Sequence, residues 1–90
     1  MKPEQQTAVA EATAIVYGNR EEIYGPPGET LERTAQIWSV IFGVPVSAEQ
    51  VCWAMVGLKM AREVNATKRD NLVDALGYLM LIDRIREVPI

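Results

Sequence analysis

A chain of 90 residues makes one domain with a thin core, and at 49% apolar content it carries more apolar surface than so short a chain readily buries. A net charge of −3, with no basic run longer than Lys68-Arg69, argues against a nucleic-acid binder. The lack of histidine removes imidazole bases, Ser-His or Cys-His nucleophile pairs and most transition-metal sites.

The first residues, Met1-Lys2-Pro3-Glu4-Gln5-Gln6, lack the long apolar core of a signal peptide, and no run of about 18 apolar residues is present to span a membrane. The expectation is a cytoplasmic protein that engages neither membrane nor nucleic acid. Residues 4–17, rich in Ala and Gln, predict a helix carrying Val9, Ala12, Ile15 and Val16 at roughly helical spacing. Gly18-Asn19 stops it. Residues 20–24 suit a short helical turn, and Gly25-Pro26-Pro27-Gly28 is the strongest break, stiff because two prolines fix φ.

A second helix is predicted over residues 29–42. Leu31, Ala35, Trp38 and Phe42 form its stripe, Ile37 and Ile41 widen it, and Glu29 and Glu32 suit the positive end of the dipole. Gly43 ends it, and Val44-Pro45-Val46 is a short extended link. Ser47-Ala48-Glu49-Gln50 reads as a capping box opening a third helix over 48–64, with Val51, Met55, Leu58 and Ala61 on one face. Cys52, the single cysteine, reads as a small buried hydrophobe.

Asn65-Ala66-Thr67 breaks the chain again, and Thr67 with Asp70 loosely repeats the capping-box pattern. A fourth helix over 68–87 places Leu72, Leu76 and Leu79 on one face, broadened by Val73, Met80 and Ile82. Asp83 and Arg86 continue that stripe, so its far end is expected in water. The fold class is all-α: a single domain over 1–90, a bundle of three to four helices with a C-terminal antiparallel hairpin.

A turn centred near Ala66 sets the hairpin register so that facing residue numbers add to about 133. Lys59 then faces Asp74 and Arg62 faces Asp70, the basic pair spaced i, i+3 and the acidic pair i, i+4. Gly57 falls opposite Gly77, which suggests a close backbone approach, since glycine inside a helix costs ~1 kcal/mol relative to alanine. Two readings of the charges stand side by side. They fix the register, or they line a polar pocket in which Lys59 and Arg62 hold a phosphate while Asp70 and Asp74 hold a cation or a sugar hydroxyl.

Tyr24-Gly25, Ile37-Trp38, Leu58-Lys59-Met60-Ala61-Arg62-Glu63 and Asp70-Asn71-Leu72-Val73-Asp74-Ala75-Leu76-Gly77-Tyr78 together resemble a family of small phage-encoded domains of unknown function. That family is similar to the MazG-like all-α nucleoside triphosphate pyrophosphohydrolases. In those enzymes a Glu-x-x-Glu helix and a Glu-x-x-Asp helix hold Mg²⁺ against the substrate's phosphates. Asn71-x-x-Asp74 falls on the second motif, whereas Lys59-x-x-Arg62-Glu63 falls on the first and puts cations where carboxylates belong. Two cations there would repel Mg²⁺. The resemblance therefore implies phosphate binding more than metal-assisted hydrolysis.

On this reading the ligand set is Lys59, Arg62, Asp70, Asp74, Tyr78 and Tyr24, with Asp74 and Asp70 the residues toward any Mg²⁺. Glu29-x-x-Glu32 has the spacing to supply missing carboxylates, or is simply a favourable first turn. Tyr78, one turn beyond Asp74, would cap a base or ribose, and Tyr24 would close over the ligand from the stiff loop. Core or loop-anchoring roles suit both tyrosines equally. Trp38 and Trp53 read as core or interface. The surplus apolar surface predicts a homo-oligomer, a dimer or higher. The resemblance places the protein in the host cytosol, with a nucleotide as ligand; the alternative is a non-enzymatic protein that grips a host protein through an apolar helical face.

Overall fold

The computed structural model describes residues 7–17 and 27–87, and these form four helices with no strand among them. Helix α1 is Ala8–Tyr17, α2 Pro27–Phe42, α3 Ala48–Asn65 and α4 Arg69–Arg86. The expected turn over 20–24, Tyr24 beside its loop and the terminal Val88-Pro89-Ile90 lie outside the described residues. The all-α expectation holds. No described helix is long and apolar enough to cross a membrane.

Local chemistry places the helix ends. The Ala10 backbone N–H donates to Thr7 Oγ1 at 3.0 Å, so Thr7 caps α1. Helix α2 begins at Pro27, two residues before Glu29, because proline's fixed φ and missing N–H suit a first turn. It ends at Gly43, whose φ of +72° is the left-handed conformation that closes a helix. Ser39 Oγ then accepts from the Val46 N–H at 2.8 Å and ties the link back to α2. The capping box of α3 forms as predicted: Gln50 N–H donates to Ser47 Oγ at 3.1 Å, and Ser47 N–H to Gln50 Oε1 at 2.8 Å. The second box does not form. Lys68, not Thr67, is the N-cap of α4, and no side chain of its own caps the helix.

Helices α3 and α4 pair antiparallel in the predicted register, with Lys59 on Asp74 near the turn and Glu49 on Arg86 at the far end. Against this hairpin, α1 packs on α4 and α2 packs on α3. The main core gathers Leu31 and Ala35 of α2, Ala48, Val51 and Cys52 of α3, and Ile82 of α4, with Trp38, Met55, Tyr78, Leu81 and Ile85 packed around them. Cys52 is fully buried, and burial pushes its thiol up to about 11, so it is the inert hydrophobe expected.

The stripe expected for α4 is corrected: its buried residues are Asn71, Val73, Gly77 and Ile82, while Leu72 and Leu79 face water. Its far end is divided, with Asp83 and Arg86 exposed as expected and Ile82 and Ile85 packed in the core. The cause is where neighbours land: α1 covers the Val73–Gly77 side, and α2 closes the base of the hairpin rather than its tip. Every residue from 61 to 70 is exposed. The Gly57–Gly77 approach is also absent. A Cβ on Gly57 would meet nothing within 4 Å, and one on Gly77 would meet only Val16 Cγ2 of α1, at 3.6 Å.

Charged side chains complete the frame. Arg69 Nη2 reaches Glu11 Oε2 at 2.9 Å, and the Arg84 guanidinium lies 4.9 Å from the centre of the Tyr17 ring, so α1 is held to α4 near both ends. Arg86 donates from Nε and Nη2 to the two carboxylate oxygens of Glu49, each at 2.7 Å, and the Trp53 indole N–H adds a bond at 3.3 Å. The Arg86 bonds hold the Glu49 carboxyl down at about 2, against 4.5 for a free side chain. A carboxyl depressed in the folded state contributes stability that is complete above its unfolded pKa. Acid unfolding is therefore expected to steepen as pH falls from 4.5 towards 2, and Glu49→Gln should flatten that part of a pH–stability curve followed by circular dichroism.

Candidate functional site

The hairpin tip is where the sequence-predicted residues meet. Lys59 Nζ lies 3.1 Å from Asp74 Oδ2, with the lysine side chain 12% exposed and the aspartate 41%. Arg62 and Asp70, expected to pair, do not bond; both are exposed, and the Arg62 guanidinium meets no carboxylate among the described residues. All four side chains nevertheless line one open cleft of about 560 Å³, together with Asn65, Lys68 and Asn71.

Two residues of the signature do structural work that their spacing did not announce. Glu63 Oε1 accepts from the Lys68 backbone N–H at 3.1 Å and from Asn71 Nδ2 at 3.1 Å, and Asn71 Nδ2 also reaches the Ala66 carbonyl at 3.4 Å. A carboxylate on α3 and a buried amide on α4 thus clamp the turn between them. The Asn71 bond first, then the Lys68 N–H, holds the Glu63 carboxyl below its ordinary range. The signal was present in the sequence: a carboxylate and an amide at the two ends of a tight turn are what a shared bond across it needs.

Seen from the cleft, three cations (Lys59, Arg62 and Lys68) stand against two carboxylates, Asp70 and Asp74. The Lys59–Asp74 pair is mutually satisfied, which leaves Arg62 and Lys68 facing Asp70. Helix α4 starts beside this space, with its Lys68 N–H taken by the Glu63 carboxylate at 3.1 Å. The arrangement suits an anion with several acceptor oxygens.

It does not suit Mg²⁺. A hard cation asks for several oxygen ligands, and Asp74 already carries the Lys59 ammonium. Among the described residues no three Asp, Glu, Cys or His side chains come together. Glu29 and Glu32 are exposed on α2 and line no part of the cleft, so they do not replace the missing carboxylates. No metal-assisted step is built from this donor set, and the metal-ligand expectation for Asp70 and Asp74 is set aside. Tyr78 is half-buried against the core and does not line the cleft. Tyr24 lies outside the described residues.

A small all-helical domain organised by a charged hairpin is the class these observations define. Residues 7–86 match a family described as a domain of unknown function (DUF6378), and the chain belongs to that family. It is similar to the Gene 55 protein of Mycobacterium phage D29, at 31% identity over 87 residues, covering 94% of this chain and 57% of the relative. It is also similar to the Gene 55 protein of Mycobacterium phage L5, at 34% identity over 77 residues, covering 83% of this chain and 49% of the relative. The chain thus spans about half the length of these phage proteins. No solved structure matches it.

The unequal burial of the Lys59–Asp74 pair sets an asymmetry. Asp74→Asn leaves a largely buried ammonium without its counter-charge and should destabilise by about 1–2 kcal/mol. Lys59→Met keeps the packed stem and leaves Asp74 hydrated, so its loss should stay under about 1 kcal/mol after solvent screening. Urea melts of the two variants check the order.

Proposed function

We propose that this domain binds a phosphate-bearing ligand, a nucleotide by preference, in the cleft at the hairpin tip, and that it does so without hydrolysing it. The observation that carries the reading is the convergence of Lys59, Arg62 and Lys68 on one open space. Arg62 is the informative member. Unlike Lys59 it has no charged partner among the described residues, and register control within the described hairpin does not explain it. The likeness of Lys59-x-x-Arg62-Glu63 and Asp70-Asn71-x-x-Asp74 to the MazG-like motifs supports the same ligand class, and with it a MazG-like descent. The cations that stand in for carboxylates support binding that has lost the metal chemistry. Calorimetry with nucleoside mono-, di- and triphosphates and with pyrophosphate should show binding that is indifferent to Mg²⁺ and releases no phosphate. Arg62→Ala should weaken it about 10- to 100-fold, the worth of one charge-assisted bond, while leaving the melting temperature in place. Silence from every phosphate compound would end this reading.

A second reading, contact with a host protein, rests on a different surface. Ile37, Val40, Ile41, Phe42 and Val44, at the end of α2 and just past it, are all exposed, from 56% at Val44 to 84% at Val40. Contiguous apolar surface of this kind marks a protein contact. Affinity capture from host lysate should then yield one stoichiometric partner that Phe42→Glu abolishes and Arg62→Ala does not.

A further inference from the structure

Two acceptors on the cleft wall have nothing to accept within the fold. Asp70 is the first. It lines the cleft from the first turn of α4, is exposed, and forms no ion pair or hydrogen bond among the described residues. The second is the side-chain carbonyl of Asn71. That residue is only 8% exposed, and its amide nitrogen is spent on Glu63 Oε1 and the Ala66 carbonyl, two groups that only accept. Those bonds fix which way the amide lies, so Oδ1 is left over as an acceptor. No buried side-chain oxygen among the described residues lacks a partner, so this oxygen reaches solvent, on a residue that lines the cleft. The donors are allotted as clearly. Lys59 holds Asp74, which leaves Arg62 and Lys68 for an anion. The positive start of α4 is already answered by two carboxylates, Asp70 in its first turn and Glu63 on the Lys68 N–H.

We propose that the ligand is a nucleoside monophosphate, and that Asp70 is the residue that turns di- and triphosphates away. The inference rests on the phosphate-binding reading of the same cleft. A phosphomonoester carries about −1.5 to −2 charges at neutral pH, and Arg62 with Lys68 answers one such group. A second or third phosphate finds no cation of its own. It meets instead the Asp70 carboxylate, on a chain of net charge −3, and like charges brought together are costly. Ionised phosphate oxygens also bring no proton for Asp70 or Asn71 Oδ1 to accept. A sugar hydroxyl or a base amine does, and a nucleotide holds both within a few bonds of its phosphate. Inorganic phosphate and pyrophosphate hold neither.

Calorimetry on the whole chain without Mg²⁺, at about 0.15 M ionic strength, compares adenosine and guanosine monophosphates with their triphosphates and with inorganic phosphate. The better monophosphate should bind at least about 10-fold more tightly than its triphosphate, and by a similar margin over inorganic phosphate, about 10-fold, the worth of a bond to a charged acceptor. Asp70→Asn keeps the acceptor and removes the charge. It should tighten triphosphate binding at least about 10-fold while changing monophosphate binding far less. Because the ratio of the two constants is taken on one preparation, any unfolded fraction of the variant cancels from it. Glu29→Gln removes an exposed charge outside the cleft and should leave that ratio in place. A triphosphate that binds the unaltered chain more tightly than the monophosphate overturns this inference and leaves the phosphate site standing. So does a ratio that Asp70→Asn does not move, or that Glu29→Gln moves equally. Binding of none of these compounds removes the site itself, and the inference with it.

Discussion

The structure depends on the register between α3 and α4. Lys59 on Asp74, Glu63 on Asn71 and Glu49 on Arg86 are three polar bonds spread along one antiparallel pair, and a slip of one residue in either helix would break them together. Exposed ion pairs add little stability singly. Their value here is that they leave a single alignment in which Glu49, Glu63 and Asp74 each find a donor. The turn is short because Glu63 reaches across it to the Lys68 N–H, a cap supplied by the preceding helix rather than by the residue at the start of α4.

That choice of register has a cost on the other side of α3. Glu49, Lys59 and Glu63 of α3 are engaged by α4 and its first turn, and Arg62 faces the open cleft. The apolar face of α3 and the apolar end of α2 follow from the same arrangement: α2 covers the base of the hairpin, α1 covers the middle of α4, and no further element among the described residues reaches the tip. The core is correspondingly thin, with Ala12, Ala35 and Ala48 making up a third of the nine buried hydrophobic residues among those described. The cleft and the exposed Met60 and Val64 therefore occupy different sides of one hairpin, the first polar and the second apolar.

Much of this was legible residue by residue. The Ser47–Gln50 box, the stop at Gly43 and the pairing of Lys59 with Asp74 are local or nearly local events, set by atoms a few bonds or one tight turn apart. The candidate site was legible to the same extent. Lys59, Arg62, Asp70 and Asp74 gather round one space because a short turn leaves the chain no alternative. Tyr78 was misplaced because being one turn from Asp74 does not say which neighbour the ring meets, and the ring meets the core. Glycine proved equally blind to pattern: Gly57 and Gly77 share a register position but not a contact, since Gly77 faces α1.

The sequence by itself determined that the chain is helical, where α3 and α4 meet, and that Lys59 meets Asp74, because caps, turns and short hairpins are governed by interactions within a few residues. Only the tertiary structure decided which faces are covered. Leu72 and Leu79 look as apolar as Val73 and Ile82, yet the first two are exposed and the others buried. Apolar spacing states that a face wants burial, whereas burial itself depends on where a helix distant in sequence comes to rest.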